Sequence, residues 1–308
     1  MVFSLLSVAD LDGREFMELV NGAKRMKAAM ARSRKTADLN NMIIGILFEK
    51  PSTRTRTSFQ AAAIRMGGNP IYLSANELQL SRGEPVKDVA RMLGGWLDII
   101  VARVYLQDTL VQLAEYSKLP VINALSNIEH PTQMISDFLT ILESKGRIEG
   151  LKMAYIGDGN NMANSLMLSC ALTGMDLSIA SPNGYKPSDE YVKKARRLSE
   201  STGSKIEIVT KPAEAAKDAD ILYTDVWVSM GEEKEAARRL RAFKGYQINS
   251  SLLKYAKSDA IVMHCLPAHR GLEITDEVIE GRQSVAWTQG VNKLYGAAST
   301  LKFIAKRK

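Results

Sequence analysis

From Lys50 to Arg56 the chain reads Lys-Pro-Ser-Thr-Arg-Thr-Arg, which sets three hydroxyls and three cations within seven residues. Such residues hold anions, because hydroxyls and guanidinium forks donate to phosphate oxygens from fixed directions. The apolar run before them, Met42 to Phe48, predicts a buried parallel strand. Thr53 to Met66 predicts a helix, capped by Ser52 and stopped by Gly67-Gly68. A strand feeding such a helix aims the helix N–H groups and the positive end of its dipole at a guest. Ordinary capping accounts for one hydroxyl and one solvated arginine. It does not account for Lys50, Arg54 and Arg56 gathered at the positive end of a dipole, where cations are unfavourable. A phosphate group offsets that repulsion, and the segment is expected to bind one.

Other strand ends carry further candidates. His130-Pro131-Thr132-Gln133 stands where a strand region gives way to a long helix, in one layer with Arg103 and the Ser52 loop. A lone histidine is often structural, but an imidazole placed there suits a carbonyl oxygen that gains charge. Asp225 opens the run Asp-Val-Trp-Val-Ser-Met-Gly after the strand Ile221 to Thr224; its carboxylate can grip an ammonium group or cap a turn. Gly157-Asp158-Gly159-Asn160-Asn161 follows a strand and opens a helix, which invites a dinucleotide reading. The third glycine position holds Met162, however, and the next strand ends Ile179-Ala180-Ser181-Pro182 without an acidic residue. Paired asparagines suit a carboxylate or an ammonium group instead. No Gly-Lys dipeptide occurs, so there is no Walker A loop. His264-Cys265 with His269 has the residue types of a metal site. Three histidines and two cysteines without a CxxC pattern argue against one, and neither metal nor cofactor is expected.

Alternating strand and helix patterns must position these residues. Strands are predicted at Pro70 to Leu73, Asp98 to Val104, Pro120 to Asn123, Leu151 to Gly157, Asp176 to Ala180, Lys205 to Thr210, Asp220 to Thr224 and Ala260 to His264. Helices are predicted at Pro85 to Leu97 with proline first, Asp108 to Lys118, Pro131 to Lys145, Asn161 to Thr173, Ser188 to Thr202 and about Val291 to Lys306. Such alternation implies an α/β protein of two doubly wound parallel sheets, divided near residue 145. Ligands of these folds bind outside the carboxyl ends of the strands, where Ser52, Arg103, His130, Asn161, Asp225 and Cys265 all fall.

A chain of 308 residues and 34.0 kDa has room for two such cores. Its formal charge of +7 is dispersed and its aromatic content is only 6%, which suits attraction of small anionic substrates better than nucleic-acid binding. Cys170 and Cys265 cannot build a disulfide framework, the first residues do not resemble a signal peptide, and no apolar stretch approaches a membrane span. A cytoplasmic protein is expected, without nucleic-acid or membrane partners.

Together these motifs resemble the ornithine carbamoyltransferase family, over nearly the whole chain. Ser52-Thr53-Arg54-Thr55-Arg56 is similar to the carbamoyl-phosphate loop that aspartate and ornithine carbamoyltransferases share, and His130-Pro131-Thr132-Gln133 to their second shared motif. Asp225-x-x-x-Ser229-Met230-Gly231, His264-Cys265-Leu266-Pro267 and the Gly157–Asn161 turn resemble the ornithine branch. The resemblance implies carbamoyl transfer from carbamoyl phosphate to L-ornithine; putrescine or N-acetylornithine is the alternative acceptor. It implies that Ser52, Thr53, Arg54, Thr55, Arg103, His130, Gln133, Cys265, Leu266 and Lys293 bind carbamoyl phosphate. It likewise implies that Asn161, Asp225, Ser229 and Met230 bind ornithine, with Arg103, His130, Cys265 and Asp225 catalytic. The family commonly carries Asn-Arg at the start of the last helix, where this chain has Asn292-Lys293, and a lysine keeps the charge but lacks the planar fork. The implied organisation is a carbamoyl-phosphate domain, 1–145 with a returning helix 291–308, and an ornithine domain, 146–290. The implied assembly is a homotrimer or a group of trimers, and 226–233 is the candidate lid.

Overall fold

A computed structural model describes residues 2–32, 37–229 and 233–308. The first sheet contains Ile43–Phe48 (β1), Asn69–Ser74 (β2), Ile99–Arg103 (β3) and Val121–Leu125 (β4), all parallel, in the order β2-β1-β3-β4. Helices Gly13–Arg32 (α1), Arg54–Arg65 (α2), Val86–Gly94 (α3), Gln107–Ser117 (α4) and Pro131–Lys145 (α5) accompany it. The second sheet contains Lys152–Ile156 (β5), Asp176–Ala180 (β6), Ile206–Val209 (β7), Ile221–Thr224 (β8) and Ile261–His264 (β9), parallel and ordered β7-β6-β5-β8-β9. With it come Asn161–Thr173 (α6), Asp189–Ser199 (α7), Pro212–Ala216 (α8), Ala236–Ala242 (α9), Ser250–Leu253 (α10) and Asp276–Ile279 (α11), and Ala286–Ala305 (α12) ends the fold. The α/β class with two parallel sheets is as expected from the alternation.

The chain divides into two compact units, one running to Leu139 and including Val291–Lys308, the other Thr140–Gly290. Both divisions fall inside helices, α5 and α12, where the sequence reading set them at 145 and 291. Each unit has its own apolar core. Leu47, Ile100, Ala102, Leu110 and Val121 pack together in the first, and Ile156, Leu222, Val262, Ile274 and Ile279 in the second. Strands β1, β3, β5, β8 and β9 are buried on both faces, which is why they read as continuous apolar runs.

In each sheet the strand order reverses once, between β1 and β3 in the first and between β5 and β8 in the second. The loops leaving these strands diverge there and open a crevice at the carboxyl ends. Arg103 ends β3, and Ser52, Asn161 and Asp225 lie just beyond the ends of β1, β5 and β8.

Several local expectations need correction. Thr53, not Ser52, is the residue before α2; it has helical dihedrals (φ −70°, ψ −53°) and no side-chain cap bond, so the Ser52 hydroxyl is not spent on capping. Pro85 precedes α3 instead of opening it, and α12 begins at Ala286, ahead of the predicted Val291. Helix α1 was not anticipated, although Phe16, Leu19, Val20, Ala23, Met26 and Met30 recur at helical spacing and are buried. Among the described residues no helix is long and apolar enough to cross a membrane.

Candidate functional site

In the first unit the register between strands brings together side chains expected to hold an anion. Arg103, the last residue of β3, pairs with Phe48, the last of β1, so its guanidinium reaches the following loop. There Arg103 Nη1 donates to Ser52 Oγ at 3.5 Å, and the Glu49 N–H donates to the Arg103 carbonyl at 2.8 Å. Thr53, Arg54 and Thr55 form the start of α2, where the first backbone N–H groups have no intrahelical acceptor. A cavity of about 450 Å³ beside this loop is lined by Lys50, Ser52, Thr53, Arg56, Tyr72 and Ser74 among others. Arg56 stacks 3.5 Å over the Tyr72 ring and donates through Nε to Gln60 at 3.3 Å. The ring face offsets part of its charge, so the crowding of cations read from the sequence is relieved partly by an aromatic neighbour.

His130, Gln133 and Lys293 are buried. The segment before His130 is fixed by Glu129, fully buried, whose Oε2 accepts from the Val8 N–H at 2.9 Å while Oε1 accepts from the Ser7 hydroxyl. Burial, reinforced by the positive charges of Lys293 and Arg103, holds His130 well below the usual histidine range. A neutral imidazole results, able to donate one N–H without carrying charge. Gln133 donates through Nε2 to Asp137 Oδ1 at 2.7 Å, and Lys293 Nζ donates to Gln133 Oε1. Neighbouring Asn292 accepts from Lys27 Nζ at 3.0 Å.

In the second unit the pairing of Thr224 with His264 brings the residues that follow β8 and β9 side by side. Cys265 Sγ donates to Asp225 Oδ1 at 2.9 Å, and the Val226 N–H donates to the same oxygen at 2.8 Å. Asn160 Nδ2 donates to the other oxygen at 3.3 Å. The Asn160 carbonyl oxygen meanwhile caps α6, accepting from the Met162 and Ala163 N–H groups. Tyr155 donates to Asn160 Oδ1 at 3.5 Å, and burial, then the charges of Asp225, Asp158 and Cys265, push its phenol well above its ordinary range. Leu266 sits at φ 58°, a left-handed conformation strained for a side chain of this kind. Its N–H donates to His264 Nδ1 at 2.9 Å, so the imidazole proton lies on Nε2, which faces the buried Glu273 carboxylate at 3.1 Å. Asp158 pairs with Arg239 Nη1 at 2.8 Å, and that nitrogen also donates to the Trp227 carbonyl, tying the glycine turn to the segment after Asp225.

The structure thus brings Arg103 to Ser52, just ahead of Thr53, Arg54 and Thr55 in the chain, and Gln133 to Lys293 near His130, in one unit. In the other it groups Asp225 with Cys265, while Asn161 opens α6 directly beside the Asn160 cap and Leu266 follows Cys265. Ser229 lies on the segment after Asp225; Met230, and with it part of the candidate lid, is outside the described residues. Asp137 and Tyr155 were missed by sequence reasoning, and Asn160, read there with Asn161 as a partner for a ligand carboxylate or ammonium group, instead holds Asp225 and caps α6. Asparagine just before an apolar helix is a capping signal, and an acid four residues beyond Gln133 shares its helix face, but neither spacing shows what else the side chain touches. Among the described residues no group of three His, Cys, Asp or Glu side chains is placed to hold a metal ion.

Two parallel α/β units, each with polar side chains converging beyond its strand ends, define a class of ligand-binding folds to which transferases and nucleotide enzymes alike belong. Comparison narrows the class. The model of the aspartate/ornithine carbamoyltransferase carbamoyl-P binding domain matches residues 4–143, and that of the Asp/Orn binding domain matches residues 149–304. The ornithine carbamoyltransferase of Methanosarcina acetivorans is 50% identical over 94% of this chain and 95% of its own. That of Archaeoglobus fulgidus is 48% identical over 98% of this chain and 97% of its own. The structure of ornithine carbamoyltransferase from Pyrococcus furiosus superposes with a TM-score of 0.93 at 43% identity, over 97% of this chain and 95% of that one. The chain belongs to the aspartate/ornithine carbamoyltransferase family.

Proposed function

We propose that this protein transfers the carbamoyl group of carbamoyl phosphate to the δ-amine of L-ornithine, giving L-citrulline and phosphate. In the first unit, Ser52, Thr53, Arg54 and Thr55 hold the phosphate through hydroxyls, a guanidinium and the α2 N–H groups. Lys293 adds buried positive charge to that half. Arg103, Thr55 and the neutral His130 aim donors at the carbamoyl oxygen, and Gln133 faces the carbamoyl amide. As the amine attacks, the oxygen gains charge that these pre-aligned donors stabilise. The new C–N bond forms, the C–O bond to phosphate breaks, and the proton released from nitrogen leaves with the phosphate. The amine must be neutral to attack, so its ammonium proton is lost before or during binding.

In the second unit, Asn161, Asp225, Ser229 and Met230 grip the α-amino and α-carboxylate groups of ornithine, while Cys265 and the Leu266 carbonyl orient the δ-amine and the carbamoyl group. The observation that carries this acceptor assignment is the Asp225 carboxylate, held by Asn160, the Val226 N–H and the Cys265 thiol in one fixed orientation. We place the protein in the cytoplasm as a homotrimer, in keeping with its having only two cysteines and with the kinship above. The test is phosphate release and ureido product formation with ornithine, putrescine, N-acetylornithine and aspartate offered separately. Turnover with ornithine alone is expected; turnover only with another amine would overturn the acceptor assignment and leave the phosphate half standing.

A further inference from the structure

Asp137 is a buried carboxylate that the proposed mechanism does not use. It lies one helical turn beyond Gln133 on α5, is fully buried, and accepts from Gln133 Nε2 at 2.7 Å. On the other side of the same amide, the buried Lys293 ammonium donates to Gln133 Oε1. A side-chain amide has two orientations, related by a half-turn, that exchange its donor and acceptor ends. A carboxylate only accepts and an ammonium only donates, so each neighbour by itself selects the same orientation. Turning the amide over would set NH₂ against the ammonium and the carbonyl oxygen against the carboxylate, with the loss of two charge-assisted hydrogen bonds in a buried place.

We propose that Asp137 and Lys293 are positioning residues that lock the Gln133 amide in one orientation, and that this lock makes the site select a carbamoyl group over an isosteric acyl group. The inference rests on the functional reading above, in which Gln133 faces the carbamoyl amide. In the locked orientation Oε1 has a second lone pair besides the one that Lys293 engages, and this accepts an N–H of the carbamoyl NH₂. Acetyl phosphate shares the phosphate and the carbonyl but carries a methyl group in that place, so discrimination between the two ligands resides at Gln133. A site that merely attracts anions binds both alike.

The experiment compares wild type, Asp137→Asn, Lys293→Met and the double variant, which removes one charge of each sign. For each, KM for carbamoyl phosphate and the inhibition constants of acetyl phosphate and inorganic phosphate are measured. Either single variant retains one selector, and the preference for carbamoyl phosphate over acetyl phosphate is expected to fall by about threefold or less. The double variant retains none, and the preference is expected to fall by about tenfold, the worth of one hydrogen bond. A preference unchanged in the double variant overturns the lock, as does a loss of affinity shared equally by carbamoyl phosphate, acetyl phosphate and phosphate. Should the double variant not fold, Asp137→Asn combined with the closer-sized Lys293→Gln, in which neither neighbour selects an orientation, reads the same ratio, and no fall in it is the contrary result. Wild-type turnover with ornithine is measured first. Its absence would remove the functional reading itself, whereas turnover with an unmoved ratio removes the lock alone.

Discussion

At the scale of single residues, the site is governed by side chains whose charge state is set by what surrounds them. His130 is neutral when folded because burial and two nearby cations oppose its protonation. The unfolded chain takes up that proton near the ordinary histidine value of about 6.5. Below it the unfolded state binds more protons than the folded one, so stability falls as pH falls, by at most about 1.4 kcal/mol per pH unit from this residue. Urea unfolding of wild type and His130→Asn between about pH 6.5 and 5 should give the variant the shallower slope; parallel slopes would refute a neutral, buried His130. Asp225 supports a different expectation. Replacing it with asparagine removes the charge from a hydrogen-bonded group, worth about 1.5–3 kcal/mol, or about 10- to 150-fold in kcat/KM for ornithine. The KM for carbamoyl phosphate should barely move, and steady-state kinetics with each substrate varied in turn would expose an effect on the wrong substrate. Asn160 links such chemistry to folding, since one side chain both caps α6 and holds Asp225. Asn160→Ala should lose about 1 kcal/mol of stability together with acceptor affinity; calorimetry showing the first without the second would reduce the residue to a cap.

At the scale of elements, the turns leaving β1 and β5 carry the site because the strand order reverses beside each of them. The β5 turn is also a tight fit. A Cβ on Gly159 would stand 2.1 Å from Pro187 N and 2.3 Å from Lys186 C, both backbone atoms that cannot swing aside. Gly159→Ala should therefore cost at least about 1–3 kcal/mol, and shift the neighbouring Asn160 with it. An unchanged urea midpoint would show that the Lys186–Pro187 segment yields freely. The alternation of strands and helices, the placement of α5 and α6, and the polar loops beyond the strands were legible because buried parallel strands read as apolar runs closed by turn residues. Helix α1 was legible too, through the apolar stripe from Phe16 to Met30. The uncapped start of α2 was not legible, because Ser52 has the residue type of a cap and only backbone dihedrals decide whether it acts as one.

At the scale of the whole molecule, the two units have separate cores and separate sets of polar groups, which matches a reaction that needs one anionic and one zwitterionic substrate. The proposed trimer gives a direct expectation: sedimentation equilibrium should return three times the 34.0 kDa chain mass, and a species at the chain mass under assay conditions would contradict it.

The sequence by itself determined the class of fold, the order of the site motifs and the chemical character of the phosphate half. These are local properties: periodicity, turn residues, and hydroxyls and cations close together in one segment. Only the tertiary structure decided which residues act on one another. Asp225 meets Cys265 across neighbouring strand ends, 40 residues apart, and Lys293 meets Gln133 across 160 residues of chain. Such contacts are set by strand register and by the return of the last helix, to which no local pattern is sensitive. The same limit concealed Asp137 and Asn160, whose residue types were plain and whose partners were not. An acid on a helix face and an asparagine before a helix acquire their specific roles when packing excludes water and leaves each polar atom its protein neighbours to satisfy it.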